Sequence, residues 1–428
     1  MAYFFGYNIS PKQESILKLL FHYRGLTVNH IIEEMYPEPN RKNRSTYLTV
    51  YQYLRDLEKQ KLVRKASLHP ESRQLLYHLS PEGLSLTCSL LNIQPNHWGT
   101  GYGDNYGDFP YDLYAPPLQR IQHHFLLVEL FMTLNRLKDT YPEANIDYRD
   151  NRYASESYTA LDDSEGADGK EKKYDFRPDG ELLLNGKSYY IEIDRGTEFL
   201  TSLKSKFENY YRYFAYLRKN ERPLPEGILF LSKYSPNSAS AYINRRWQTI
   251  TNAFFSKMGE FSLDVNLIGG TIDDINSVIE QETYREDYFK HLLKNVQSLI
   301  EDSQYQQYGT GLFKLDSKLI PWDIAYITLT KPTEEHHRLY VYEQLNGYET
   351  RGAARALYLE PWLKESRHKI KPLANVKEII PVFFYPKFSP VYPSIESDAE
   401  ILNRSLQLSY DLTWTTPKGK LIEGHPLL

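Results

Sequence analysis

One cysteine, Cys88, stands in 428 residues, and a lone thiol excludes both an internal disulfide and a cysteine-rich zinc site. Neither sign of charge is in excess: 51 Lys and Arg against 55 Asp and Glu leave a formal charge of −4, so any surface for a polyanion has to be local. No apolar run approaches the roughly eighteen residues that a membrane-spanning helix needs. The opening MAYFFGYNIS is too short and uncharged for a secretory leader. The expectation is a cytoplasmic protein with no membrane partner. Two pairs of adjacent histidines, His123-His124 and His336-His337, lack the one-residue spacing that sets two imidazoles on one face of a strand.

What is present is ordinary globular material, 41% hydrophobic and 25% charged, with length for two or three domains. The 37 tyrosines are the oddity; tyrosine suits half-wet surfaces and base stacking, and it also packs cores.

Near the amino terminus, Ser10-Pro11 reads as a helix cap followed by proline at the first helical position, with Ile16, Leu17, Leu19 and Leu20 as an apolar face. Thr27 caps a second helix from Val28 to Met35. Ser45 is expected to cap a third, with Leu48, Tyr51, Leu54 and Leu57 along one face. Leu62 to Leu68 and Gln74 to Leu79 read as two strands. Between Arg41 and Lys65 eight basic residues face two acidic ones, a local +6. Three helices and a two-stranded ribbon resemble a winged helix-turn-helix domain over residues 1–91. That resemblance implies double-stranded DNA as partner, with Arg41, Lys42, Arg44, Thr46, Tyr47 and Thr49 on the reading face and Arg55, Arg64, Lys65 and Arg73 on phosphates.

Residues 92–117, with glycines clustered from Gly101 to Gly107 and little periodicity, are expected to be a linker. A second domain, 118–270, opens with a helix whose stripe includes Leu126, Leu127, Leu130, Phe131, Leu134 and Leu137; Glu129 lies on it. Asn145 to Tyr153 reads as a strand, and Asp162 to Lys173 as a charged mobile insertion. Asn185-Gly186 between the apolar runs Gly180 to Leu184 and Ser188 to Asp194 predicts a hairpin, since both turn residues take positive φ. Alternation sends Glu192 and Asp194 to one face of the return strand, where Asp179 can meet them. Carboxylates gathered in this way suit a hard cation, Mg²⁺ or Mn²⁺. Leu200, Leu203, Phe207, Tyr210, Phe214 and Leu217 then form a helical stripe, flanked by Lys204 and Lys206, and Ile228 to Ser232 reads as a buried strand.

Pro178-Asp179 and, thirteen residues on from Asp179, Glu192-Ile193-Asp194 resemble the PD-(D/E)XK nuclease pattern, with Asp194 where that family has its lysine. The string IEIDRGTE, followed by a helix carrying Lys206 and Tyr210, resembles the replication-relaxation family of plasmid and mobile-element proteins. The resemblance covers about the first two thirds of the chain. It implies a winged helix joined to a mixed-sheet, nuclease-like α/β core, with Asp179, Glu192 and Asp194 as metal ligands and Glu129 as a fourth. Lys206 would stand in for the missing lysine. The expected fold class is thus α/β, or α+β, in several domains, the last (271–428) a helical connection and an α+β region without a recognisable motif.

Two functions stay open at this level. One is metal-dependent DNA nicking or cleavage in plasmid or mobile-element replication or transfer. The other is a non-enzymatic regulator whose nuclease fold is degenerate, working as a homodimer or with replication or transfer proteins. A tyrosine-dependent relaxase is a third; the histidine spacing counts against its HUH form.

Overall fold

The computed structural model describes residues 2–4, 6–36, 43–68, 74–161, 171–196, 198–232, 239–301, 306–313, 324–330, 337–346, 348–366, 376–386 and 400–423. Arg41, Lys42, Arg73 and most of the charged insertion (162–170) lie outside them. The chain forms two compact units: Met1–Glu156 with Arg177–Leu183, and Ser157–Phe176 with Leu184–Leu428.

In the first unit, β1 (Ala2–Phe4) pairs antiparallel with β2 (Tyr7–Ile9). Helix α1 (Pro11–Tyr23) begins at a capping box in which Ser10 Oγ accepts from the Gln13 amide and Gln13 Oε1 accepts from the Ser10 amide. Thr27 caps α2 (Val28–Met35). Helix α3 (Arg44–Lys59) is capped by Asn43 rather than Ser45; Asn43 Oδ1 accepts from the Ser45 amide at 3.0 Å. β3 (Val63–Ser67) and β4 (Leu75–Leu79) form the expected antiparallel ribbon. Leu26 and Tyr77 exchange backbone hydrogen bonds of 2.9 and 2.8 Å, stitching the ribbon to the turn between α1 and α2. Helix α4 (Pro81–Leu90) packs so close that a Cβ on Gly83 would stand 1.9 Å from the Leu62 carbonyl oxygen.

Two expectations fail here. Residues 92–117 are not a tether. They carry α5 (Tyr111–Tyr114), bury Phe109 and Tyr114, and seat Gly101 against the Tyr153 ring, where a Cβ would come within 2.4 Å. The glycines of this loop serve close approach, not flexibility. Helix α6 (Ile121–Thr140), expected to open a separate second domain, belongs to this unit. Leu126, Leu127, Val128, Leu130, Phe131 and Met132 are all buried, so the helix is apolar nearly all round and needs partners on every side. It finds Tyr23, whose hydroxyl accepts from Asn135 Nδ2 at 2.6 Å, Glu33 through Arg136, and His30 through Phe125. β5 (Ile146–Asp150) and α7 (Asn151–Ala154) follow.

In the second unit, β6 (Glu156–Leu161) and β7 (Glu171–Phe176) form a small sheet. β8 (Gly180–Leu184), counted with the first unit as far as Leu183, and β9 (Lys187–Asp194) flank Asn185 and Gly186, at φ 51° and 80°, as the turn chemistry required. Helix α8 (Leu200–Lys219), β10 (Gly227–Ser232), α9 (Ala239–Met258), α10 (Phe261–Asp264) and β11 (Asn266–Thr271) build successive crossovers. β9, β10 and β11 run parallel with β10 between, in register Glu192↔Phe230 and Asp194↔Ser232. Rings of Phe176, Tyr190, Tyr210, Tyr213, Phe214 and Phe230 fill the space between sheet and helices, Phe176 and Tyr213 stacking at 3.9 Å.

α11 (Ile275–Thr283) and α12 (Arg285–Glu301) lead to a second, mixed sheet of β12 (Gln306–Phe313), β13 (Ile324–Thr330), β14 (His337–Gln344), β16 (Val376–Tyr385), β17 (Leu406–Ser409) and β18 (Trp414–Thr415). The short β15 (Tyr348–Glu349) leaves this run to pair antiparallel with β11, before α13 (Arg351–Ser366); α14 (Glu400–Asn403) precedes β17. The fold is mixed α/β in more than one compact unit, as its class was read. Among the described residues no helix is long and apolar enough to cross a membrane.

His22 and His124 are buried in the first unit. Desolvation, reinforced by Arg152 on His22 and Arg24 on His124, holds their pKa values down to about 4 and about 3. The unfolded chain, with histidines near 6.5, therefore binds more protons between those limits. Stability is full above about 6.5 and is lost as pH falls, by about 2 kcal/mol per histidine between neutrality and about pH 5. Protection of α1 and α6 amides against hydrogen exchange should fall accordingly; a flat profile would refute the buried neutral imidazoles.

Candidate functional site

Parallel strands present their carboxyl ends side by side, and ligand sites of open α/β sheets gather there. Here those ends carry Glu192 and Asp194 on β9, only 4% and 2% exposed. A buried carboxylate must be compensated. Glu192 Oε2 receives Lys206 Nζ of α8 at 2.8 Å and Oε1 the Tyr210 hydroxyl at 2.7 Å. Lys206 also reaches Glu198 Oε1 at 3.2 Å and lies over the Phe230 ring. Asp194 is gripped bidentately by Arg246 of α9, Nε to Oδ2 at 2.6 Å and Nη2 to Oδ1 at 2.7 Å, while the Gly196 amide donates to Oδ1 at 2.9 Å. Arg246 Nη1 donates further to the Glu198 carbonyl at 2.6 Å.

Lys206, expected to replace the missing lysine, is thus ion-paired with Glu192. Asp194 lies two residues beyond Glu192 on the same strand. Asp179 and Glu129 belong to the first compact unit. Asp179 Oδ2 there meets His123 Nε2 at 3.0 Å, and Glu129 is half-buried on α6. Among the described residues no group of three or more His, Cys, Asp or Glu is placed to hold a metal ion. The pocket between Asp194, Arg246, Trp247 and Tyr348 has about 20 Å³, room for roughly one water. A divalent cation there would face the Arg246 guanidinium, and the Asp194 oxygens it needs already accept from that guanidinium. The donor set fits a closed ion-pair knot better than Mg²⁺ or Mn²⁺.

Sequence places Arg246, with Arg245 and Trp247, on a helix near DNA, and gives no sign of its pairing with Asp194. Arg246 lies 52 residues beyond its partner, and only the β9–α8–β10–α9 path brings it back. Tyr210, visible as part of a helical stripe, carries a hydrogen bond to Glu192 that periodicity could not foretell.

The second group lies on α3. Arg44, Thr49 and Arg55 are exposed, as are Arg64 and Lys65 on β3, while Tyr47 is half-buried. Lys65 pairs with Glu58 at 2.8 Å. Thr46, placed on the reading face by sequence, is instead buried at 8% exposure. Leu48 and Tyr51, placed on the core face, are 61% and 47% exposed, and Val50, Leu54 and Leu57 form the core. The cause is helical drift: steps of three residues fall about 60° short of a full turn, so Leu48 and Leu57 end on opposite sides.

Residues 17–224 match the family model described as replication-relaxation, a stretch running from within α1 past the end of α8, and that description points to replication and mobile-element processes. No curated protein matches the chain. Among solved structures it is similar to the crystal structure of protein VC1899 from Vibrio cholerae, at 12% identity and a TM-score of 0.24, over 65% of this chain and 57% of that one. The chain therefore spans less than two thirds of that protein's length.

Truncating Arg246 to Met should leave Asp194 buried without its counter-charge and cost about 3–5 kcal/mol, most of it regained when Asp194→Leu is added. Denaturant unfolding of the two single variants and the double variant measures this; an Arg246→Met protein as stable as the parent would mean that Asp194 has another counter-charge.

Proposed function

We propose that the protein binds double-stranded DNA in plasmid or mobile-element replication without cutting it. In this reading α1, α2, α3 and the β3–β4 ribbon work as a winged helix, with α3 in the major groove and Arg64 and Lys65 on flanking phosphates. The observation that carries it is the solvent face of α3, where Arg44, Leu48, Thr49, Tyr51, Gln52 and Arg55 are all exposed. Guanidiniums suit phosphates and guanine edges, and a leucine and a tyrosine left in water gain by lying against base edges and thymine methyls. In the second unit the nuclease-like positions would serve stability: the carboxylates that would bind a cation are held by Arg246, Lys206 and Tyr210.

A metal-dependent nickase is the second reading, favoured by one observation, Lys206 Nζ at 2.8 Å from Glu192. In that reading Glu192 and Asp194, with Asp179 and Glu129, would hold Mg²⁺ or Mn²⁺. Lys206 would neutralise charge developing on the phosphate.

Purified protein incubated with supercoiled plasmid carrying the replication region of its own element, with Mg²⁺, Mn²⁺ or EDTA, separates the two. Binding without nicking is expected, unchanged in Glu192→Ala protein that remains folded. Metal-dependent nicking lost in both Asp179→Ala and Glu192→Ala would replace this reading with the nickase. Arg55→Ala should weaken duplex binding and lower the slope of log affinity against log salt by about one.

A further inference from the structure

A cleft of about 580 Å³ opens in the first unit between α1, the end of α2, α6 and β5, covered in part by the loop around Asp104. No residue of α3 lines it. The volume lies within the range of small-molecule sites, about 300–1,000 Å³.

Its floor is a hydrogen-bonded set of rings. Tyr106 Oη lies 3.4 Å from His22 Nδ1, His22 Nε2 lies 2.9 Å from Tyr148 Oη, and Tyr23 Oη accepts from Asn135. Burial keeps the His22 imidazole neutral and pushes the Tyr23 and Tyr148 hydroxyls upward, so the floor carries no charge at neutral pH. Uncharged rings with donors and acceptors at their edges complement a planar heterocycle that bears the same groups.

The rim is charged, and most of its charge is already engaged. Asp147 accepts from the Gly103 and Tyr148 amides at 3.0 and 2.9 Å. Lys18 pairs with Glu14 at 2.7 Å, and Glu34 bonds to the Tyr23 hydroxyl. Lys138 approaches Asp147 only to 3.9 Å, beyond hydrogen-bond distance, and rests over the Tyr148 ring; Lys12 lies over the Tyr36 ring. Both ammoniums therefore retain donors for an incoming anion at the edge of an aromatic floor.

We propose that this cleft holds one nucleotide unit, its base against the Tyr106–His22–Tyr148 floor and its phosphate against Lys12 and Lys138. That chemistry is shared by a free mononucleotide and by an unpaired nucleotide of a DNA strand. The site stands whether or not α3 reads duplex DNA.

The test titrates the full chain with each of the four deoxynucleoside 5′-monophosphates, with inorganic phosphate, and with a short single-stranded oligonucleotide. Saturable binding is expected, weakened about tenfold by Lys138→Ala, which removes a charge-assisted hydrogen bond, and also weakened by Tyr148→Phe. Lys138 is an exposed side chain, so its truncation leaves the fold intact, and circular dichroism verifies this for both variants. Binding of mononucleotides identifies the free nucleotide as source; binding of the oligonucleotide alone, with the same loss in Lys138→Ala, identifies the strand. Three results overturn the proposal: no probe binds, inorganic phosphate binds as tightly as the nucleotides, or strand binding falls with Arg55→Ala and not with Lys138→Ala.

Discussion

A carboxylate removed from water has to be given back what water supplied, and both compact units are built around that constraint. In the first, Asp150 is buried and accepts from Arg152, whose guanidinium continues to the carbonyls of Phe21 and His22, while Arg24 crosses to Asn151 and the Ala115 carbonyl. These bonds tie the end of α1 to β5, α7 and the loop before α6. In the second, Arg246 and Lys206 do the same for Asp194 and Glu192. Farther along, Glu349 of β15 accepts from Asn266 at 2.6 Å and from the Asn346 amide at 2.6 Å, while Arg351 pairs with Glu226 and Arg285 with Glu282. The two-residue β15 pairs with the edge of β11, and inside the fold these bonds replace the water that solvates the same charges in the unfolded chain.

The same constraint bears on function. A catalytic metal site keeps carboxylate oxygens available and leaves space for ion and water. Here Asp194 has a bidentate guanidinium and an amide, Glu192 an ammonium and a phenol, and the adjoining space holds about one water. Through these bonds Glu192 and Asp194 anchor β9 to α8 and α9. On α3 the opposite holds: Leu48 and Tyr51 stand in water beside the exposed Arg44 and Arg55.

Tyrosine abundance has a structural use as well. Tyr158, Tyr174, Tyr213 and Tyr216 stack along α8, and Tyr23, Tyr106 and Tyr148 line a cleft in the other unit, each ring combining apolar area with a hydroxyl that needs a partner. Phenylalanine could fill such places but would leave the partners of those hydroxyls, Asn135 and His22 among them, without a hydrogen bond.

Local chemistry was legible in the chain. Ser10-Pro11 dictated where α1 begins, Asn185-Gly186 dictated a turn with two positive φ angles, and the alternation of β9 set Glu192 and Asp194 on one face, because each of these is decided by neighbours a few residues away. The stripe of α8 was legible for the same reason. Four assignments needed the tertiary structure. Residues 92–117 looked like a tether because compact loops and flexible ones share glycine, and only the Tyr153 ring beside Gly101 tells them apart. Helix α6 went to the first unit because apolar residues on all its sides say that it is buried, not against what. Thr46 turned inward and Leu48 and Tyr51 outward because a three-residue spacing drifts around a helix of 16 residues, and packing fixes which arc is buried. Arg246 reached Asp194 across 52 residues because a buried carboxylate selects its counter-charge by position in space, which no spacing along the chain encodes.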